Sequence, residues 1–92
     1  MLEFEWDNQK AAANLAKHGV DFAAAVAVFR DPFAFDTEDR SMDYGEIRRR
    51  IIGLGNGRFL TVIYTERGET IRLISARKAT RPERREYDDA RW

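Results

Sequence analysis

The stretch ISARKATRPERREY, residues 74–87, carries five basic side chains: Arg77, Lys78, Arg81, Arg84 and Arg85. Arginine presents a planar fork of donors that matches phosphate oxygens and never loses its charge. So many cations at one junction describe a site for a phosphate-rich partner. The residues alone leave open whether that partner is bound, cut or merely attracted. His18 is the only histidine, and histidine is the side chain that titrates near neutrality without help. By residue type it is the best general acid or base in the chain. It also precedes Gly19, where a helix would end and a cation would meet the favourable end of the dipole, so a purely structural role fits it equally.

Other chemistries fall away on composition. The chain has no cysteine, which removes disulfides, thiolate nucleophiles and thiolate metal sites. One histidine cannot build a zinc cluster. The acids of residues 36–43, DTEDRSMD, lack calcium-loop spacing, and GLGNG lacks the lysine and following helix of a phosphate loop. No metal and no cofactor are expected. The start, MLEFEWDNQK, has no apolar run of a signal peptide. No stretch approaches the ~20 apolar residues of a membrane span, so a soluble protein with no membrane partner is expected. The net charge is zero over 92 residues, yet residues 1–46 hold four basic and ten acidic side chains, and residues 47–92 twelve and six. Such division points to nucleic acid or a charged partner, or to two halves that neutralise one another across one folded surface.

These residues need elements to position them. LEFEW at 2–6 alternates like a half-buried strand. Asp7 suits an N-cap for NQKAAANLAKH, which Gly19 closes. Leu15 is its only large apolar residue, so much of this helix is exposed. Asp21 caps a second helix, FAAAVAVFR, with Phe22, Val26 and Phe29 on one face, ended before Pro32. FAF at 33–35 reads as a short edge strand and DTEDRSMDYGE as a polar loop. EIRRRIIGL, RFLTVIYTE and TIRLISARK follow as strands joined by short glycine-bearing links, hence antiparallel hairpins. Strict alternation in the last puts Ile71, Leu73, Ser75 and Arg77 on one face, and Arg72, Ile74, Ala76 and Lys78 on the other. Thr80 and Glu83 make a capping box and Pro82 suits the first turn of a final helix. Arg81, Arg84 and Arg85 share one side of it, and Tyr87 turns toward the sheet. The expectation is a single α+β domain, residues 1–92: strand, two helices, antiparallel sheet, helix.

Three segments, FEWDNQKAAANLAKHGVDF, VIYTERGETIRLISARKAT and RPERREY, resemble the BrnT family of type II toxins, in order and spacing. The resemblance implies a RelE-like fold and a cytoplasmic ribonuclease that arrests growth by cutting RNA. It also implies a BrnA-like antitoxin that masks the toxin and binds operator DNA with it. RNA can be cut without metal if its own 2′-hydroxyl attacks the adjacent phosphate. Fixed cations then stabilise the crowded phosphorane, each commonly worth about 10²–10³ in rate. Proton transfer adds about 10²–10⁴. On this reading Arg77, at the strand end where RelE-like toxins keep a catalytic arginine, holds the phosphate. Arg84 supports it, His18 moves the proton, and Arg67 reaches in from a turn beside Arg77. Lys78, Arg81 and Arg85 would line the RNA path, and Trp6 would stack on a base. The bland alternatives are a strand-end ion pair for Arg77, a solvated helix face, a solubilising turn arginine and a core tryptophan; Tyr64 fits the core better than a base.

Two further functions stay open: a non-enzymatic inhibitor of DNA gyrase, as in ParE-type toxins of related fold, or an inactive module serving only operon control.

Overall fold

In the computed structural model, residues 2–40 and 45–90 are described; residues 41–44, within the expected polar loop, and Trp92 lie outside them. The first strand, β1, is Glu3–Glu5, and the first helix, α1, is Asn8–His18. Asp7 caps α1 as expected: its Oδ1 accepts from the Gln9 and Lys10 N–H groups at 2.8 and 3.1 Å. Those backbone donors, Lys10 first, hold its carboxyl below the ordinary range. Gly19 closes the helix at φ 68°, a left-handed turn that a residue with a Cβ adopts only under strain. Asn14 is the only buried residue of α1, and Leu15 is exposed.

The second helix is shorter than its pattern. It runs as α2, Phe22–Val26, and then tightens into a 3-10 turn, Ala27–Arg30. Pro32 keeps Asp31 extended, at ψ 115°, and the last turn contracts ahead of it. The innermost side chains are therefore Phe22, Ala25 and Val28, with Val26 and Phe29 partly buried beside them.

The remaining strands are β2, Phe35–Asp39; β3, Arg48–Gly55; β4, Arg58–Arg67; and β5, Thr70–Lys78. They form one five-stranded sheet in the order β1-β5-β4-β3-β2. The hairpins are antiparallel as expected, and the Asn56-Gly57 turn has positive φ at both residues, the twist that suits a two-residue hairpin. The sheet departs from the sequence reading, and of the expected strand FAF at 33–35 only Phe35 is strand. Residues 36–39 are strand, not loop, with Glu38 and Asp39 set opposite Arg49 and Arg48. And β1 joins β5 in parallel, through Glu5 opposite Arg72.

A bulge in β5 changes which way its residues point. Ile63 pairs with Ser75 but Tyr64 with Leu73, which leaves Ile74 as the extra residue. Ser75 and Arg77 still share a face, but it is no longer that of Ile71 and Leu73. Ala76 instead joins Ile71 and Leu73 in the core, against Val20, Phe22, Ala25 and Val28. So α1, α2 and the 3-10 turn cover one face of the sheet. The other face, with Arg50, Ile52, Phe59, Thr61 and Arg77, is covered by the last helix, α3, Arg81–Asp89. Its capping box forms in both directions between Thr80 and Glu83.

Candidate nucleic-acid interface

Glu83 does more than cap. It is 6% exposed and accepts from Arg77 Nη1 and Nη2 at 2.7 and 2.9 Å, Thr61 Oγ1 at 2.9 Å and the Thr80 N–H at 2.9 Å. Arg50 stands farther off, at 3.4 Å, and pairs with Glu86 at 2.7 Å. Burial would raise the Glu83 pKa, but Arg77, Thr80 and Thr61 outweigh it and bring it to about 2. The same hydrogen bond raises Arg77, and burial only partly opposes it. The carboxylate thus pins α3 to β3, β4 and β5 together.

Around the end of the sheet beside this pin lies a cleft of about 320 Å³, lined by Gly57, Arg58, Phe59, Lys78, Ala79 and Arg84. The Arg84 guanidinium carbon sits 4.1 Å from the centre of the Phe59 ring, which meets the Tyr87 ring edge to face, centres 5.2 Å apart. Arg58 is opposite Gly55 and Lys78 opposite Leu60, so both point to the α1 side, and the Arg58 Nη1 donates to the Gly19 carbonyl at 3.2 Å. The cleft therefore wraps the sheet end, with Arg84 and Phe59 on one side and Arg58 and Lys78 on the other. One cation over an aromatic ring and two more across the strand ends suit a phosphate with a base stacked on the Arg84 plane.

The expected residues divide by place. Arg77, Lys78 and Arg84 meet at this end of the sheet. Arg81 and Arg85 are exposed on α3 beside it. His18 lies at the same end, one residue before the carbonyl that Arg58 holds. Arg67 does not sit beside Arg77: it pairs with Thr70, whereas Arg77 pairs with Thr61. Their backbones are roughly 20 Å apart at ~3.3 Å per residue along β4. Arg67 lines a different hollow with Glu38, Glu46 and Arg49. Trp6 packs edge-on against Phe22, ring centres 5.9 Å apart, on the α1 and α2 face. Tyr64 is buried; its hydroxyl donates to Asp36, and burial, with that bond, raises its pKa. Arg58 and Phe59 were not expected as site residues. Counting outward from the 67–70 hairpin sets them beside the end of β5, and that register was the available signal.

Among the described residues, no group of three or more His, Cys, Asp or Glu side chains could hold a metal ion, and no helix is long and apolar enough to cross a membrane. Fold and site together define a small mixed α+β protein with a cationic cleft, bounded on one side by an aromatic ring, at one end of its sheet. The family described as the ribonuclease toxin BrnT of type II toxin-antitoxin systems matches residues 6–83, and the chain belongs to that family. Its members act as toxins paired with an antitoxin. Arg84 and Arg85 lie just past the matched residues. No curated protein matches the chain significantly.

Proposed function

We propose that this chain is one RelE-like domain that cleaves single-stranded RNA without a metal ion. The cleft carries the reading: Arg58, Lys78 and Arg84, the last stacked on Phe59, line a volume of about 320 Å³. In the reaction the RNA 2′-oxygen bonds to the adjacent phosphorus as the bond from phosphorus to the 5′-oxygen breaks. A cyclic phosphate and a free 5′-hydroxyl result. One proton leaves the 2′-hydroxyl and one reaches the 5′-oxygen. The cleft cations stabilise the charge that gathers on phosphorus. His18, at the same end, is the residue type suited to move a proton. Arg77 has both ends of its fork on Glu83, so we assign it to positioning: it fixes the helix that carries Arg84.

The same reading makes the protein a cytoplasmic agent of growth arrest. A BrnA-like antitoxin whose acidic segment covers the cleft would neutralise it, and operator DNA would be met through that complex. The test is cleavage of end-labelled, ribosome-free RNA by purified protein in excess EDTA, with R58A, R84A, R77A and H18A alongside. We expect wild-type cleavage to survive EDTA and R84A to lose about 10²-fold or more. R77A loses activity together with stability. A well-folded wild type that leaves RNA intact overturns the reading in favour of a ribosome-dependent nuclease or a gyrase inhibitor.

A further inference from the structure

The cleft is not the only gap between cations at this end of the molecule. A groove of about 230 Å³ runs between α1 and β5, lined by Lys10, Ala13, Asn14, Lys17, His18, Ile74 and Ser75. No acid is among these residues. Lys10, Asn14 and Lys17 recur at i, i+4 and i+7, on one face of α1. Among the described residues, Lys10, Lys17 and His18 form no ion pair. The nearby Asp7 carboxylate is taken up by the α1 backbone and lends Lys10 only a weaker interaction.

The groove exists because β1 is short. It pairs with β5 only as far as Arg72, so from Leu73 onward no strand among the described residues lies beside that edge. Asn14 stands in: its amide accepts from the Ala76 N–H at 3.0 Å and donates to the Ala76 carbonyl at 2.8 Å. Around this one contact Ile74 and Ser75 line an opening with two lysines above it. The volume falls below the roughly 300–1,000 Å³ of a pocket for a whole small molecule. It fits a piece of a longer chain.

The groove also continues into the cleft. Lys78 is on the α1 side of the sheet, and Arg58 is tied to Gly19, next to His18. Ser75 and Lys78 are about 10 Å apart along β5. A line of cations, Lys10, Lys17, Lys78 and Arg58, with His18 among them, therefore leads to Arg84 and Phe59. A continuous basic track that ends on an aromatic is how proteins follow a single strand of nucleic acid. We propose that the groove between α1 and β5 is a second phosphate subsite, which holds the RNA backbone next to the nucleotide seated in the cleft. The proposal rests on the ribonuclease reading for the identity of its ligand.

Binding without cleavage separates the two. Fluorescence anisotropy would use uncleavable 2′-O-methyl RNA of about 4 and about 12 nucleotides, a range set by single-strand site sizes. The proteins are wild type, K10Q/K17Q, and R30Q/R40Q as a charge-matched control, each checked for folding by circular dichroism. We expect K10Q/K17Q to weaken binding of the longer RNA several-fold. Its salt slope should fall by about 1.4, at about 0.7 per phosphate. R30Q/R40Q should bind like wild type. Equal losses in both variants would show diffuse attraction and overturn the subsite. So would unchanged binding by K10Q/K17Q, or a wild type that binds neither RNA. Weaker grip on the antitoxin with RNA binding intact would give the groove to the antitoxin instead. Length-dependent binding by a protein that never cleaves would keep the subsite and defeat the ribonuclease reading alone.

Discussion

Arg77 and Glu83 are joined by two parallel hydrogen bonds, Nη1 to Oε1 at 2.7 Å and Nη2 to Oε2 at 2.9 Å, across the gap between β5 and α3. Removing Arg77 leaves the nearly buried Glu83 carboxylate without its main counter-charge, and removing Glu83 also strips the Thr61 hydroxyl and the Thr80 N–H of their acceptor. E83A should therefore cost about 3 kcal/mol in urea unfolding. A double-mutant cycle with R77A should return a coupling of about 1–3 kcal/mol. A coupling near zero would show that Arg77 does not act through Glu83, and would return it to the list of direct phosphate ligands.

The same carboxyl sets a pH dependence. Its pKa falls from the ordinary 4.5 to about 2 in the folded protein. The unfolded chain thus takes up this proton first as pH drops. The stability Glu83 contributes is full above about pH 5 and is lost progressively down toward pH 2. Urea midpoints at stepped pH should show wild type losing stability across that window, with E83Q flatter. Parallel curves would remove Glu83 as the cause.

Phe59 supports Arg84 from below, so the floor and the cation should fail together. F59L keeps an apolar side chain against Tyr87 but removes the ring beneath the guanidinium. We expect it to weaken RNA binding by roughly 1–3 kcal/mol, the scale of one stacked base. Its thermal midpoint should move less than that of E83A. Binding equal to wild type would mean that no base stacks there.

Gly55 permits a close approach of helix to strand. A Cβ there would meet the Ala24 carbonyl oxygen and Val28 Cγ2, each at 2.9 Å. At Gly53 the nearest atom, also at 2.9 Å, is the side-chain Val28 Cγ1. A backbone oxygen yields less readily than a methyl. G55A should cost about 1–3 kcal/mol in equilibrium unfolding, and G53A less. The reverse order would show that the Ala24 turn gives way freely.

How much of this was legible depended on range in the sequence. Asp7, Gly19, Thr80 and Glu83 are local signals, and α1 and α3 begin where they say. The acids of β2 read as loop because an exposed edge strand looks polar. What marked it as strand was the match of Glu38 and Asp39 with Arg49 and Arg48, visible only once the two are laid antiparallel. The bulge at Ile74 has no residue signature, and by shifting alternation it sent Arg77 to the α3 face. Arg67 looked close to Arg77 in the sequence, but a hairpin turn and the far end of its second strand are at opposite ends of a sheet. The cationic character of the site was plain from composition. Its floor, Phe59, and the cation Arg58 needed the register.

Asn14 has a consequence for timing. It bonds Ala76, sixty-two residues later, and among the described residues β1 pairs with β5 alone. Strand β1 and helix α1 thus wait, undocked, until β5, which follows β2, β3 and β4 in the chain, has been made. The cleft residues Lys78 and Arg84 emerge after β1 to β4. The cleft thus cannot assemble until β5 and α3 have been made, and between completing β5 and docking α1 the edge at Ala76 stands open.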